Sequence, residues 1–169
     1  MLLDFAEIYH QYSGMVYRVA LRMTGRVEEA EEVTQDVFLS VHRHLGAFSG
    51  KSTIKTWVYR IAVNCSLNAI KKAGRKRPEV RMEEGFDAPD SRQDVHEAVE
   101  KEAAEEKIQA LLNEVSEDER ACLLLRAQEG LSYEDIARSL GVNINTVKTR
   151  IRRARETMIA AYQNKRGKI

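Results

Sequence analysis

Residues 131–155 read LSYEDIARSLGVNINTVKTRIRRAR, and this stretch decides the fold class of the second half of the chain. Ser132 precedes Asp135 by three residues, a pattern that caps the first backbone amides of a helix. Apolar residues recur at helical spacing around Ile136 and predict a buried face. Gly141 follows the last of them and can adopt the left-handed conformation that ends a helix. The stretch therefore predicts a helix-turn-helix.

The second helix of this motif separates its side chains into two faces. At about 100° per residue, the apolar residues fall on one side and the basic residues and threonines on the other. Residues 148–155 contain five basic side chains and no acidic one. A helix that merely faces solvent would rarely concentrate so many cations without acidic residues among them. Arg and Lys donate to guanine edges, and Thr can contact a thymine methyl group. The opposite side, which we call the recognition face, therefore suits the major groove; its residues are Lys148, Thr149, Arg152 and Arg153, with Arg150 and Arg155 at the edges, nearer phosphates.

The net charge of +1 conceals a strong separation of charge along the chain. Residues 71–77 contain five basic side chains, and residues 148–168 contain eight basic and one acidic. Between them, residues 79–106 contain 11 acidic and three basic side chains. Local fields rather than the total charge decide whether a polyanion binds, so the two basic segments are candidates for contact with nucleic acid.

The pattern of helical segments predicts an all-α protein of two small helical bundles joined by a flexible acidic linker. No segment alternates polar and apolar residues with a period of two, so we predict no sheet. Residues 74–94 contain both prolines, many charges and few apolar residues, which is typical of a linker. We assign the first domain to residues 1–74, the linker to 75–104 and the second domain to 105–169. The predicted helices lie at about 4–24, 28–45, 53–73, 95–114, 117–129, 132–140 and 144–163.

The predicted helix near 53–73 carries a narrow polar stripe between two apolar faces. A small polar loop with an aromatic residue and a cation, Phe48–Thr53, precedes it. Aromatic rings beside cations and amides suit unstacked single-stranded bases. Trp57 alone favours packing in the core, whereas the loop and the stripe together indicate nucleic-acid binding. The polar stripe consists of Trp57 at its edge, Arg60, Asn64, Asn68 and Lys71.

The remaining sequence offers no arrangement typical of an enzyme. Cys65 and Cys122 have no partners at metal-ligand spacing, and two unpatterned cysteines fit reduced thiols in a cytosolic protein. Asp87, Asp90 and Asp94 could suggest a nuclease metal site, but they lie in the linker, which cannot preorganise ligands. No apolar run is long enough for a signal peptide or a membrane span. We expect a cytoplasmic protein that is not an enzyme and uses no metal or cofactor.

Taken together, these segments resemble the extracytoplasmic-function (ECF) sigma factors, group 4 of the sigma-70 family of bacterial RNA polymerase specificity subunits. Residues 32–38, EVTQDVF, resemble region 2.2 of that family. Residues 48–50, FSG, followed by residues 56–64, TWVYRIAVN, resemble regions 2.3 and 2.4. Residues 133–137, YEDIA, and residues 146–155, TVKTRIRRAR, resemble region 4.2. The resemblance covers both predicted domains.

The resemblance implies a role for each polar surface and adds residues to them. The recognition face would read the minus-35 promoter element as duplex, with phosphate contacts from Thr146 and Arg150. The loop and the polar stripe would melt and capture the minus-ten element, and the loop residues that contribute are Phe48, Ser49, Lys51 and Ser52. A docking surface on the predicted helix near 28–45 would bind the clamp helices of the polymerase β′ subunit; it consists of Glu32, Gln35, Asp36 and Leu39.

Further partners follow from the same resemblance. The second domain would contact the β flap of the polymerase core, and an anti-sigma factor would hold the protein inactive.

Two other functions stay open at this point. A repressor or activator of duplex DNA would use the same helix-turn-helix but leaves the polar stripe unexplained. A pure protein-interaction module would leave the recognition face without a use.

Overall fold

A computed structural model of the chain describes residues 4–74 and 95–167, and every regular element in these ranges is helical. This confirms the all-α prediction. Each predicted helix is present, with its ends shifted by a few residues at most. A 3-10 turn at Leu45–Ala47 follows the second helix. The helices are α1 (Phe5–Thr24), α2 (Val27–His44), α3 (Ile54–Gly74), α4 (Val95–Leu112), α5 (Glu117–Glu129), α6 (Tyr133–Leu140) and α7 (Ile144–Arg166).

Residues 95–104 fall both in the assigned linker, 75–104, and in the predicted helix near 95–114. They belong to α4, as the helix prediction has it. Six of the ten residues 95–104 are glutamate or alanine, which are strong helix formers, so the charge of this segment does not prevent a helix. The rest of the assigned linker, residues 75–94, lies outside the described residues. The three aspartates that we considered as metal ligands lie there too.

Helices α1, α2 and α3 pack against one another as an N-terminal bundle. Asp4 begins α1, because its Oδ1 accepts a hydrogen bond from the Ala6 amide at 3.2 Å. Gly25 ends α1 in the left-handed conformation, with φ of +72°. Each helix contributes fully buried apolar side chains to the bundle centre, among them Val16, Val37 and Val63.

Helices α5, α6 and α7 form the C-terminal bundle, and α4 packs against α7. The largest fully buried side chains of this bundle are Leu125, Ile136 and Ile151, one from each of its three central helices. Gly130 ends α5 with φ of +61°, and the chain turns there into α6. The short helix α6 therefore lies against both α5 and α7, as a helix-turn-helix requires.

The two bundles are packed against each other, and their buried residues form one continuous core. Helix α5 contacts α3 and α1, and α6 also contacts α3. Arg120 of α5 is 6% exposed and donates to the backbone carbonyls of Met23 at 2.5 Å and Arg22 at 3.3 Å. These carbonyls end α1, where the helix dipole favours a cation. Burial lowers the pKa of Arg120. The relative placement of the bundles, which the sequence left open, is thus compact.

Candidate nucleic-acid interface

Three caps hold the helix-turn-helix in its bent shape. The Ser132 hydroxyl accepts from the Asp135 amide at 3.0 Å and donates to the Asp135 Oδ2 atom at 2.8 Å, so the predicted capping arrangement is present. Gly141 has φ of +64°, as predicted for the residue that ends α6. Asn143 begins α7 by accepting from the Asn145 amide at 2.8 Å. Each cap satisfies backbone groups that the helix ends would otherwise leave unpaired.

The first of these caps carries a charge. The hydrogen bond from Ser132 holds the pKa of Asp135 below its ordinary value, and the neighbouring Arg138 lowers that pKa further. The carboxylate is therefore ionised at neutral pH, in the first turn of α6, where the helix dipole favours negative charge. This electrostatic contribution stabilises the helix on which α7 rests.

Helix α7 separates a buried side from the recognition face as the sequence predicts. The Arg152 Nη1 atom lies 2.8 Å from the Glu156 Oε1 atom, one turn along the same helix. Exposed pairs of this kind are weak, so Arg152 can exchange Glu156 for a base or a phosphate. Thr149 is half-buried at the edge of the face. The buried residues are Val147, Ile151 and Ala154, and the exposed cations are Lys148, Arg152, Arg153 and, at the edge of the face, Arg155.

Arg150 and Thr146, which we expect to contact phosphates, lie closer to the protein. Both are half-buried. The Arg150 Nη2 atom lies 3.1 Å from the Asp118 Oδ2 atom of α5. This ion pair joins α7 to α5, so the Arg150 guanidinium already has an acidic partner within the protein.

The loop before α3 places two aromatic rings together. The Phe48 and Trp57 ring centroids are 5.2 Å apart with planes tilted by 50°, and both side chains are half-buried. Gly50 has φ of +70°, which allows the tight turn between them. Thr53 caps α3 by accepting from the Thr56 amide at 3.1 Å. Of the three polar loop residues in our prediction, Ser49 and Lys51 are exposed and Ser52 is half-buried.

The polar stripe of α3 faces the C-terminal bundle over much of its length. The Asn64 amide donates to the Ser139 carbonyl at the end of α6 at 3.2 Å. The Lys71 Nζ atom lies 3.4 Å from the Asp118 Oδ1 atom. Arg60 is half-buried, and within the described residues its Nε atom has no hydrogen-bond partner. The stripe is therefore only partly engaged: Asn64 and Lys71 contact the C-terminal bundle, and the Lys71 side chain remains 54% exposed.

Asn68 is the member of the stripe that points elsewhere. It is exposed and lines an open groove of about 860 Å³ between α2 and α3. Glu32 and Asp36 of the docking surface line the same groove from the α2 side. Gln35 is exposed, and Leu39 is 54% exposed, so all four docking residues lie at the surface of α2.

Two acidic residues of α5 contribute to this region, and the sequence analysis did not single them out. Asp118 lies between Lys71 and Arg150, as described above. Glu129 lies 3.3 Å from the Lys55 Nζ atom and accepts from the Thr56 hydroxyl at 3.2 Å. In the sequence, Asp118 is one of three acidic residues in the first turn of α5. The preference of the helix dipole for negative charge at this end already explains all three. No local pattern distinguishes a residue that reaches another bundle.

Residues 4–74 and 95–167 can also be considered for metal-ligand groups, for reactive thiols and for helices that could span a membrane. No three His, Cys, Asp or Glu side chains there converge in a way that could hold a metal ion. Cys65 and Cys122 are free thiols, and burial raises the pKa of both. None of the helices in these ranges combines the length and the apolar character that crossing a membrane requires.

The protein is thus helical and combines a helix-turn-helix that carries an exposed basic face with a second polar surface on α3. Residues 8–76 match the family model for Sigma-70 region 2, and residues 105–158 match the model for Sigma-70, region 4. The chain is 34% identical over 160 residues to the RNA polymerase sigma-H factor of Pseudomonas aeruginosa, which covers 90% of this chain and 83% of that protein. It is 32% identical over 160 residues to the ECF RNA polymerase sigma-E factor of Haemophilus influenzae, covering 90% and 84%.

The chain therefore belongs to the ECF sigma factors of the sigma-70 family and is an RNA polymerase sigma factor, a subunit for transcription initiation. Solved structures agree in fold. The sigma factor RpoE of Bartonella quintana, in complex with the anti-sigma factor NepR, aligns with a TM-score of 0.70 and 24% identity over 95% of this chain and 97% of that one. CnrH, in complex with the cytosolic domain of CnrY, aligns with a TM-score of 0.59 and 23% identity over 95% and 88%.

Proposed function

We propose that this sigma factor holds promoter DNA at two points while bound to the polymerase core. The recognition face of α7 reads the minus-35 element as duplex. The loop 48–53 and the polar stripe of α3 hold the melted minus-ten strand. The docking surface of α2 binds the β′ clamp helices, and the C-terminal bundle contacts the β flap. The observation that carries the proposal is the exposed face of Lys148, Arg152 and Arg153 on a helix-turn-helix whose two helices are capped at their starts.

The division of labour follows from the chemistry of the two surfaces. Cations on a helix can reach base edges in the major groove of a duplex. Aromatic rings and amides suit bases that have left the stack, and stacking contributes roughly 1–3 kcal/mol per base. This offsets the unpairing cost of a few kcal/mol for each extruded base. The polymerase carries out the chemistry, so the sigma factor itself is not an enzyme and acts in the cytoplasm, with the polymerase and the DNA.

We further propose that an anti-sigma factor controls the protein. The support is structural similarity to the sigma factor RpoE of Bartonella quintana, whose solved structure contains the anti-sigma factor NepR. Such a partner would cover the docking surface or the DNA-binding surfaces.

Transcription from a library of randomised promoters, with purified core polymerase and this protein, tests the two-point mechanism. We expect selected promoters to share two conserved blocks about two helical turns apart. The isolated protein should not select full promoters as tightly as the holoenzyme does. If it did, or if it bound DNA without starting transcripts, it would be a duplex repressor or activator instead.

Charge reversal separates the two contact points. Arg152→Glu with Arg153→Glu should remove selection of the upstream block while polymerase binding is retained. Lys165→Glu with Arg166→Glu is the matched control, because it reverses two exposed cations at the far end of the same helix. Loss of polymerase binding in the first variant alone would show that the substitution disrupts the bundle, and loss of selection in both would show a non-specific charge effect.

A further inference from the structure

A cleft of about 330 Å³ lies between the two bundles, where residues of α1, α3 and α5 line it. None of the residues assigned above to DNA or polymerase contact is among them. We propose that this cleft, which we call the inter-bundle cleft, binds a small molecule that carries a phosphate group. The proposal goes beyond the proposed function and does not depend on it. The lining residues that carry the argument are Arg18, Arg22, Lys55, Tyr59 and Glu129.

The Tyr59 hydroxyl is the first observation that points to a ligand. The residue is 2% exposed, and within residues 4–74 and 95–167 its hydroxyl has no hydrogen-bond partner. Buried hydroxyl groups are nearly always hydrogen-bonded, because losing water without a replacement partner costs free energy. The charges that act on this hydroxyl are those of Arg22 and Glu129, which also line the cleft. The hydroxyl therefore faces the cleft.

Burial decides which partner this hydroxyl needs. It raises the pKa of Tyr59 well above the ordinary value of 10.0, although the charge of Arg22 acts in the opposite direction. The hydroxyl is therefore protonated at neutral pH and can donate. Arginine side chains are donors only, so they cannot accept its proton. An oxygen atom of a ligand would accept from the hydroxyl and from a guanidinium group together.

The charge of the cleft favours an anion. Among the described residues, three cations and one carboxylate line it. The carboxylate is already balanced, because Glu129 lies 3.3 Å from the Lys55 Nζ atom. Arg22 lies 3.0 Å from Glu105, but the Glu105 side chain is 48% exposed, and exposed pairs of this kind are weak. Arg18 is exposed and has no acidic partner in the part of the chain that the structure describes.

The spacing of the two arginines strengthens this preference. Arg18 and Arg22 are four residues apart on α1 and therefore lie on the same face of the helix. Like charges at this spacing repel each other, and an anion between them removes the repulsion. A β-carbon on Gly14, one turn before Arg18, would lie 3.4 Å from the Arg18 Nη1 atom. The Arg18 guanidinium thus lies along α1, over a position that carries no side chain.

The size and the donors of the cleft select the chemical class. Its volume is at the lower end of the range of roughly 300–1,000 Å³ that small-molecule sites have. Besides the guanidinium groups and the Tyr59 hydroxyl, the amides of Gln11 and Gln128 line it. A phosphate group offers about three strong acceptor oxygens and more charge than a carboxylate, so it suits several donors at once. Met15 and Val19 also line the cleft and would pack against the carbon atoms of the ligand.

Isothermal titration calorimetry of the full chain with phenyl phosphate, at constant ionic strength, tests the site. This probe combines a phosphate group with an apolar body. The wild type should bind one equivalent. Tyr59→Phe removes only the hydroxyl and should weaken binding roughly tenfold, the effect of losing one hydrogen bond to a charged group. Arg18→Gln should weaken binding by at least as much.

Arg153→Gln is the matched control, because it makes the same chemical change at an exposed cation of the recognition face, where a phosphate could bind as the DNA backbone would. It should bind phenyl phosphate as tightly as the wild type. Weaker binding by Arg153→Gln, with no change in Arg18→Gln, would place the phosphate on the recognition face and overturn the proposal. Equal affinities of the wild type and Tyr59→Phe would overturn it too, because the hydroxyl would then have only water as a partner.

Thermal denaturation separates loss of the ligand from loss of the fold. Without ligand, Tyr59→Phe should melt no lower than the wild type, because the hydroxyl that it removes has no partner among the described residues. Phenyl phosphate should raise the thermal midpoint of the wild type and of Arg153→Gln, and much less that of Tyr59→Phe and Arg18→Gln. A lower midpoint of Tyr59→Phe without ligand would show that the protein itself satisfies the hydroxyl, which would contradict the proposal.

Discussion

The recognition face and the polar stripe both carry cations on one helix, but the cations of the recognition face are exposed to solvent, whereas part of the stripe contacts the C-terminal bundle. The recognition face lies on one helix, oriented by three local caps and the apolar side of that helix. The stripe also lies on one helix, but helices from the other bundle decide its accessibility. The comparison shows that residue type and spacing identify a nucleic-acid surface, whereas long-range packing decides when that surface can be used.

The largest effect is expected from the core beneath the recognition face. Ile136 is fully buried between α6 and its neighbours, so Ile136→Ala should lower the free energy of unfolding by about 2–5 kcal/mol and abolish duplex binding. Urea denaturation measures the first effect. Ile159→Ala, at a position 57% exposed on α7, is the control and should change stability by less than about 0.5 kcal/mol. Similar losses in the two variants would contradict this description of the bundle.

The next effect concerns the contact between bundles. Arg120→Met leaves the carbonyls of Met23 and Val115 without their donor and should cost about 1–3 kcal/mol. It should also reduce cross-linking of Lys71 to Asp118 by a carbodiimide, which joins a lysine amine to a carboxylate in contact. Arg126→Met is the control, because Arg126 donates to the Leu131 carbonyl at 2.7 Å within the C-terminal bundle.

The two arginine variants should therefore separate two readouts. Both lower stability, but only the Arg120 variant should lose the cross-link between bundles. If both variants kept the cross-link between Lys71 and Asp118, Arg120 would not be what holds the two bundles together.

A smaller effect tests the turn that orients the recognition face. Gly141→Ala should destabilise the protein by about 1 kcal/mol, because a side chain at φ of +64° is strained although no atom lies within 4 Å of the added carbon. Gly46→Ala is the control: it also has open space around it and does not need positive φ. Thermal denaturation compares them. A neutral Gly141→Ala would show that the turn tolerates another conformation.

The smallest effect is the pH dependence of the α6 cap. The pKa of Asp135 is depressed in the folded protein, so its charge stabilises the fold above the unfolded value of about 3.9 and this stabilisation is lost as the pH falls through the folded value. The difference in thermal midpoint between the wild type and Asp135→Asn should therefore be largest near neutral pH and shrink in acid. An Asp135→Asn difference that is constant with pH would contradict the electrostatic role of the cap.

The helices and the helix-turn-helix could be predicted because their signals are local. Ser132, Gly141 and Asn143 each act on backbone groups a few residues away, and all three have the predicted roles. The apolar side of α7 follows from its period alone. The helix near 95–114 could also be predicted, although residues 95–104 are highly charged, because glutamate and alanine are strong helix formers.

The contacts between the two bundles could not be predicted from the sequence, and the reason is physical. Asp118 and Glu129 have nothing in their neighbours along the chain that distinguishes them from solvated acids, and their partners lie in the other bundle. From the sequence, Arg120 would be expected at the surface. Its burial is possible only because it donates to the carbonyls at the end of α1.

The sequence by itself determined the helix-turn-helix of residues 131–155, the positions of the other helices and the family to which the chain belongs, since these depend on period, caps and motif spacing. Only the tertiary structure decided that α5 and α6 lie on the polar stripe. Packing of the two bundles into one core brings Asp118 and Ser139 to α3, because burial of apolar surface is indifferent to distance along the chain. The cations of α7 are therefore exposed, whereas Asn64 of α3 is engaged by a group from the other bundle.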